Sequence, residues 1–549
     1  MSRFFRRRGA ATLVTAALTL ALAACGTAQN TGAAPSGSTP VSGGILRVNY
    51  WPDNVAFPCI DPFQTYWLES RQIIRNLADS LTDQDPKTGK IVPWLAKSWT
   101  ISPDALTYTF SLRTDVTFSD GTKLDAAAVK ANFDGFQATL KTLPSAYGAV
   151  YITGLESTTV TDPSTVVFKL SKPNAAFLQA TSTTNLAILA PSAFTQTPAD
   201  RCLGKGLVAS GPFTLKSYTS NKLTEITKRT GYRWGSSLNA NTGDAYLDGI
   251  QFSYVAEDSV RTGNLVSGAS DVAWPRNPFT EEDRNLITKS GLQLSSRSLP
   301  GPASNFYVNN TDGHALSDLK VRQAVTKAID RATYAATVFG KDYPVASSVY
   351  NTTTPFYVDH SKDLAFDKAG AEKLLDAAGW AKGSDGYRAK DGKRLTIVYP
   401  ITAKGPGPEL LQAELKDVGI ELTLTVYQAA DRTKILSEGK YDLIDTYFTR
   451  GDPGVLQWIL DAKVAGSVAL AKNTQTTEQA AKVTELFTAG VTGADDASRA
   501  KTYADLQQYL LDQVITIPVF ERVQYAGLGK SVRGFQFTSE SFGNYYNAW

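Results

Sequence analysis

VPWLAKSWTISPDALTYTFSLRTDVTFSDGTKLDAAAVKANF, residues 92–133, decides the fold class because it changes period halfway along. Leu106–Leu112 alternates apolar and polar residues, the pattern of a strand with one buried face. Asp120-Gly121 marks a turn. From Leu124 the spacing is helical: Asp125 stands where a cap belongs, and Val129, Phe133 and the following Phe136 share one face. A strand passing through a turn into an amphipathic helix predicts a mixed α/β protein.

Downstream the same alternation continues. Ser317–Asp330 reads as a helix with Ser317 as its cap and Val321, Val325, Ala328 and Ile329 as its apolar stripe. In Asp367–Trp380, Ala371, Leu374, Leu375 and Ala378 share a face, and Gly379 fits a left-handed stop. Arg394–Tyr399 reads as a strand and Pro408–Gly419 as a helix with Leu411, Leu415 and Val418 inward; Ile420–Val426 reads as a second strand. That order fits a βαβ crossover. Lys501–Phe520 runs from a helix into an apolar strand.

Upstream, Arg3, Arg6, Arg7 and Arg8 precede an apolar run from about Ala10 to Ala24. This is the pattern of an export signal, and it is shorter than the roughly 20 residues a spanning helix needs. It ends at Leu22-Ala23-Ala24-Cys25, which resembles a bacterial lipobox. The resemblance implies cleavage before Cys25 and a diacylglyceryl group on it, two acyl chains being enough for firm anchoring. Residues 26–44 carry no charge and read as a flexible tether.

Composition excludes several functions. The leader holds four of the 55 basic residues and none of the 52 acidic ones, so the remainder is balanced. That balance gives no basis for nucleic-acid binding. Two histidines, His314 and His360, and one methionine argue against a dedicated transition-metal site. Both histidines are expected at the surface. No G-x-S-x-G stretch exists, and no catalytic group is assigned. Asp83–Lys90 (DQDPKTGK) lacks the terminal glutamate of a calcium loop and reads as a hairpin turn, and Gly204–Gly211 reads as a loop. Export favours oxidation, so Cys59 and Cys202 read either as a disulfide or as two buried thiols.

Residues 92–133 also closely resemble the signature of the family-5 extracellular solute-binding proteins, the peptide/nickel-type receptors of ABC importers. The match is carried by Leu95, Ala96, Trp99, the alternating strand, Leu112-Arg113, Phe118 and Asp120-Gly121. Further matches follow in order: SGPFTLKSY (Ser210–Tyr218), GYRWG (Gly231–Gly235), LVSGASDVAW (Leu265–Trp274), FYVNN, DLKVRQAVTKAIDR, AEKLLDAAGW, LKDVGIELTLTV, YDLI and GDP (Gly451–Pro453).

The resemblance implies an α/β fold of two periplasmic-binding-protein-like lobes (class II, cluster C), with an extra subdomain inserted in lobe I and a hinge crossed twice. On that pattern residues 1–24 are the signal peptide and 25–44 the lipidated cysteine and tether. Lobe I is 45–298 plus 516–549 with its insert at about 79–208, and lobe II is 299–515. The implied protein is a monomer, has no cofactor and performs no covalent chemistry. Lipid-anchored at the outer face of the cell membrane, it captures a small molecule or peptide by lobe closure and delivers it to ABC permease subunits. A surface sensor of the same fold, or a binder of a metal chelate or sugar-derived solute, is the alternative.

By family placement, loops near 63–67, 274–276, 304–307, 399–405 and 446–453 face the cleft. They supply the candidates Tyr66, Trp67, Trp274, Asn305, Phe306, Tyr307, Lys404, Tyr447, Thr449, Arg450 and Asp452, with Lys404 or Arg450 available for an anionic group. Three positions depart from the family. Ala105 replaces a usual glycine, and Ala128 a usual acid. Thr449 stands where peptide-binding members place an aspartate for the ligand's amino group. A threonine cannot neutralise an ammonium, and losing an ionic partner in a dry site costs on the order of 2–5 kcal/mol.

Overall fold

The computed structural model describes residues 39–51, 58–144, 146–464, 474–493 and 495–549. The leader, Cys25 and most of the tether lie outside the described residues. Among the described residues no helix is long and apolar enough to cross a membrane.

The largest sheet has seven strands. In spatial order they are Gln293–Ser298, Val523–Leu528, Val272–Trp274, Ile45–Tyr50, Gly249–Tyr254, Leu223–Lys228 and Phe213–Thr219. Ile45–Tyr50 is parallel to both its neighbours and buries Leu46, Val48 and Tyr50 on one face. Between the first and last of these elements in the chain lies a four-stranded antiparallel sheet: Ala96–Ile101, Thr107–Leu112, Thr165–Leu170 and Leu155–Asp162. The helix Ala126–Thr142 packs on it through Val129, Phe133 and Phe136, all buried. Asp125 caps that helix by accepting the Ala128 N–H at 2.8 Å. Asp83–Lys90 forms the expected hairpin, with Thr82–Gln84 paired to Ile91–Pro93.

The second half is built on Leu443–Asp445, Ser304–Val308 and Thr516–Phe520, an antiparallel trio. Beside it Thr396–Ile401 and Glu421–Val426 pair in parallel around the helix Pro406–Asp417, the expected crossover. Asp442 ties the two groups together: its N–H donates to the Val398 carbonyl at 2.9 Å, and its carboxylate accepts the Val398 N–H at 2.8 Å. The stripes Val321, Val325, Ala328, Ile329 and Ala371, Leu375, Leu411, Leu415 meet in one core. Gly379 and Gly419 end their helices at positive φ, 83° and 90°.

Some expectations change. Asp318, not Ser317, caps Leu319–Ala328, because its carboxylate accepts the Lys320 N–H at 2.8 Å. His360 is buried, its Nδ1 3.1 Å from Asp363. His314 is half-buried and braces Asp442 at 3.0 Å. Thr516–Phe520 pairs in the second trio, so residues 516–520 do not join the first lobe as expected. The chain therefore passes between sheets at 299–303 and again at 521–522. These two crossings run side by side: Leu299 N–H donates to the Arg522 carbonyl at 2.7 Å, and Asn351 Nδ2 donates to the Leu299 carbonyl at 2.7 Å. Glu521 accepts from the Ser298 hydroxyl and, at 2.8 Å, from the Thr352 N–H.

Candidate functional site

One wall of the candidate site is the segment 58–67. Cys59 is bonded to Cys202, 143 residues away. Asp61 turns the chain by accepting the Phe63 and Gln64 N–H groups at 2.9 and 3.2 Å, and its other oxygen meets Arg201 at 2.5 Å. Asn185 Nδ2 donates to the carbonyls of Pro62 and Thr65, both at 2.8 Å. These contacts fix the segment so that Tyr66 and Trp67 emerge at its end, just before the helix Leu68–Leu77. Trp67 cannot cap that helix with its side chain; its ring turns to Tyr66, 5.0 Å away and edge-on. Tyr66 also meets Tyr147 edge-on at 5.0 Å, yet remains 37% exposed. One turn into the helix, Arg71 is fully buried against Glu540. Burial alone would lower its affinity for a proton, but Glu540 outweighs that and keeps it charged.

The opposite wall is the segment 446–453, leaving the strand Leu443–Asp445. Phe448 approaches Tyr66 edge-on at 6.3 Å. The Arg450 guanidinium lies over Tyr151 at 4.7 Å, and the Gly451 carbonyl accepts from Gln84 Nε2 at 3.1 Å. The two halves therefore touch directly here, on either side of the crossings. Gly301, at φ 111°, lets the first crossing pass close to this segment; a Cβ there would stand 2.8 Å from the Phe448 carbonyl oxygen.

Arg522, on the second crossing, holds the wall at 446–453. Its Nη1 donates to the Phe448 carbonyl at 3.2 Å and its Nη2 to Thr449 Oγ1 at 2.9 Å. Its guanidinium lies 4.0 Å from the centre of the Tyr447 ring, which is 49% exposed. From the loop after the strand Val272–Trp274, Arg276 stacks on Trp67 at 4.4 Å. Burial pushes the Tyr66 phenol up, the hydroxyls of Tyr147 and Tyr447 add to this, and Arg522 and Arg276 pull it back. Tyr66 thus lies within electrostatic reach of both arginines.

The structure brings Tyr66, Trp67, Tyr447, Thr449 and Arg450 together at this interface. It does not bring the other candidates there. Trp274 is wholly buried in the first core, where it faces Phe537 at 5.9 Å. Phe306 and Tyr307 point to opposite faces of one strand and fill two different cores. Asn305 is buried and donates to the Val349 carbonyl at 3.0 Å. Lys404 is exposed in the turn before Pro406–Asp417 and shares none of these contacts.

Asp452 is committed elsewhere. It pairs with Arg499 at 2.7 Å and accepts the Gly454 N–H at 2.8 Å. Burial would raise its carboxyl, but Arg499 and Arg450 outweigh that and hold it below the usual carboxylate range. Sequence reasoning missed Arg522 and Arg276. Arg276 lies inside a loop assigned to the cleft; Arg522 stands in the charged pair Glu521-Arg522 between two apolar stretches.

Comparison with known proteins agrees with this architecture. The profile of the bacterial extracellular solute-binding proteins, family 5, matches residues 90–462. A glutathione-binding protein, GsiB, of Salmonella paratyphi A is 25% identical over 493 residues, covering 87% of this chain and 90% of its own. The crystal structure of NikA from Brucella suis in complex with Fe(III)-EDTA superposes with a TM-score of 0.77 at 24% identity, over 92% of this chain and 99% of that one. The oligopeptide-binding protein AppA of Bacillus subtilis, in complex with a nonapeptide, gives 0.70 at 18% identity over 93% and 99%.

Proposed function

The chain belongs to the bacterial extracellular solute-binding proteins of family 5, and on that premise we propose that it captures a small solute between its two halves and hands it to the permease of an ABC importer. Members of this family work outside the cytoplasm as binding proteins, not enzymes. The observation that carries the reading is the cluster of rings and guanidiniums contributed by both halves beside the two crossings, with Tyr66 and Tyr447 still open to solvent. Amphipathic rings suit a site that must hold apolar and polar parts of one solute. Two crossings side by side are the arrangement on which hinge closure turns.

The lobes divide at those crossings, residues 299–303 and 521–522, with the four-stranded sheet belonging to the insert of the first lobe. Relatives named for or crystallised with glutathione, Fe(III)-EDTA and a nonapeptide bracket the size of the solute. Cys25 carries the lipid anchor that keeps the receptor near its permease, where tethering raises effective concentration.

Thermal unfolding against a panel of short peptides, blocked peptides and metal chelates tests the binding role. A true solute at 100 times its Kd raises stability by about 2.7 kcal/mol; a panel with no effect on the melting temperature contradicts it. For the anchor, Cys25→Ala is expected to move the protein from the membrane fraction to the medium, and unchanged fractionation contradicts it.

A further inference from the structure

We propose that the insert of the first half carries a latch: Gln84, at the base of the hairpin at 83–90, and the helix start at Ala175 hydrogen-bond to the second half and hold the molecule closed for part of the time with no solute present. This rests on the reading of a solute-binding protein that closes at its crossings, and it names what holds the closed form.

Two further seams join the halves, and they differ in kind. At the first, Arg284 Nη2 donates to the Phe339 carbonyl at 2.6 Å, and Glu281 accepts the Lys341 N–H at 3.2 Å. Beside them lies an apolar cluster drawn from both halves: Leu265, Phe279 and Ile287 from the first, Ala335 and Tyr343 from the second. The cluster takes in Val523 and Tyr525, on the strand that leaves the second crossing, so this seam adjoins the pivot. Parting it would rehydrate apolar surface, which is unfavourable in proportion to the area exposed.

The second seam is polar and belongs to the insert. The Ala175 N–H donates to the Val491 carbonyl at 2.7 Å. Gln84 Nε2 donates to the Gly89 carbonyl of its own hairpin at 3.0 Å and to the Gly451 carbonyl of the second half at 3.1 Å. Gln84 Oε1 accepts from Gln179 Nε2 at 3.3 Å, and both glutamines are buried. The hairpin is stiff: Asp85 accepts the Lys87 N–H at 2.7 Å and the Thr88 hydroxyl at 2.9 Å. The fit across the seam is close. A Cβ on Gly451 would collide with Gln84 Oε1, and one on Gly89 would stand 3.0 Å from Pro355 Cγ. Among the described residues, the large apolar clusters on either side of this seam each stay within one half. Parting it exposes amides and carbonyls that water satisfies, so each hydrogen bond shifts the balance only modestly. Such a seam opens without breaking a core, while the apolar seam keeps the halves in register at the pivot. Neither Gln84 nor Ala175 belongs to the ring cluster, so the latch acts on closure itself.

The test measures the distance between the halves by double electron–electron resonance. Purified protein with Cys25→Ala has no free thiol, since Cys59 and Cys202 are bonded. Val160→Cys in the insert and Lys434→Cys in the second half, both exposed positions, then take the spin labels. Stripped of small molecules, the protein with an intact latch is expected to show a closed component, at the separation of this structure, beside an open one. Gln84→Ala and Ala175→Pro are each expected to lower the closed-to-open ratio by roughly threefold or more. Ala175 already has φ −61°, so proline suits its backbone and removes the N–H. A distribution without a closed component in the intact protein, or an unchanged ratio in either variant that folds, overturns the latch. Should neither variant fold, the distribution of the intact protein decides alone. The short peptides, blocked peptides and metal chelates are then added. A shift to the closed separation leaves solute-driven closure standing even where the latch has failed, and no shift in any sample overturns that closure as well.

Discussion

The two walls of the site are held in different ways. The wall at 58–67 is fixed by a covalent bond to Cys202, an Asx turn at Asp61 and two hydrogen bonds from Asn185. The wall at 446–453 has no covalent tie; the Asp452–Arg499 pair anchors its end and Arg522 spans its middle. One wall is thus set when the chain folds and oxidises, and the other is set by charges. The contrast assigns the rigid ring platform to the first half.

The comparison can be broken most severely at the disulfide. Opening a loop of 143 residues costs about 5 kcal/mol by loop entropy. A Cys59→Ser, Cys202→Ser double variant is expected to show that loss in urea unfolding, with increased hydrogen exchange confined to 58–67 and its neighbours. Equal exchange in both walls would remove the contrast.

Breaking the ionic wall comes next. Asp452→Asn leaves Arg499 buried without its partner, at a cost of about 3 kcal/mol. The sign with pH follows from the lowered carboxyl. A folded pKa below the unfolded value of about 3.9 adds stability above that pH, and the gain is lost as pH falls through the folded value. The variant is therefore expected to lack part of the wild type's acid destabilisation below about pH 4; parallel acid limbs would contradict this.

Removing a ring sharpens the comparison at the ligand. Tyr66→Ala is expected to weaken solute binding by about 1–2 kcal/mol, measured by calorimetry, with little change in unfolding because the ring is partly exposed. The smallest effect lies outside both walls. Ala105 adopts φ 53°, a left-handed conformation that disfavours a side chain. Ala105→Gly is expected to gain about 0.5–1 kcal/mol, the Cβ strain outweighing the entropy of glycine.

The fold was legible where periodicity was long. The stripes Val129–Phe133–Phe136 and Leu411–Leu415 are buried as read, because a helix of three turns or more repeats its apolar face enough to be recognised. Short strands defeated the same reasoning. Trp274, Phe306 and Tyr307 sit in sequence beside polar loops, but their strands are covered on both faces and bury every ring. Asp452 is a candidate by the family placement of its loop; its pairing with Arg499, 47 residues away, is not legible from the sequence. Arg522 carried no signal at all: its role comes from two crossings meeting in space, which spacing along the chain does not encode.

Small-angle X-ray scattering of the purified protein, first stripped of small molecules and then given a solute that raises its melting temperature in the panel, tests the central claim most directly. The account predicts that the radius of gyration falls on addition of that solute. An identical scattering curve with and without it, at saturating concentration, would contradict closure of two halves over a solute.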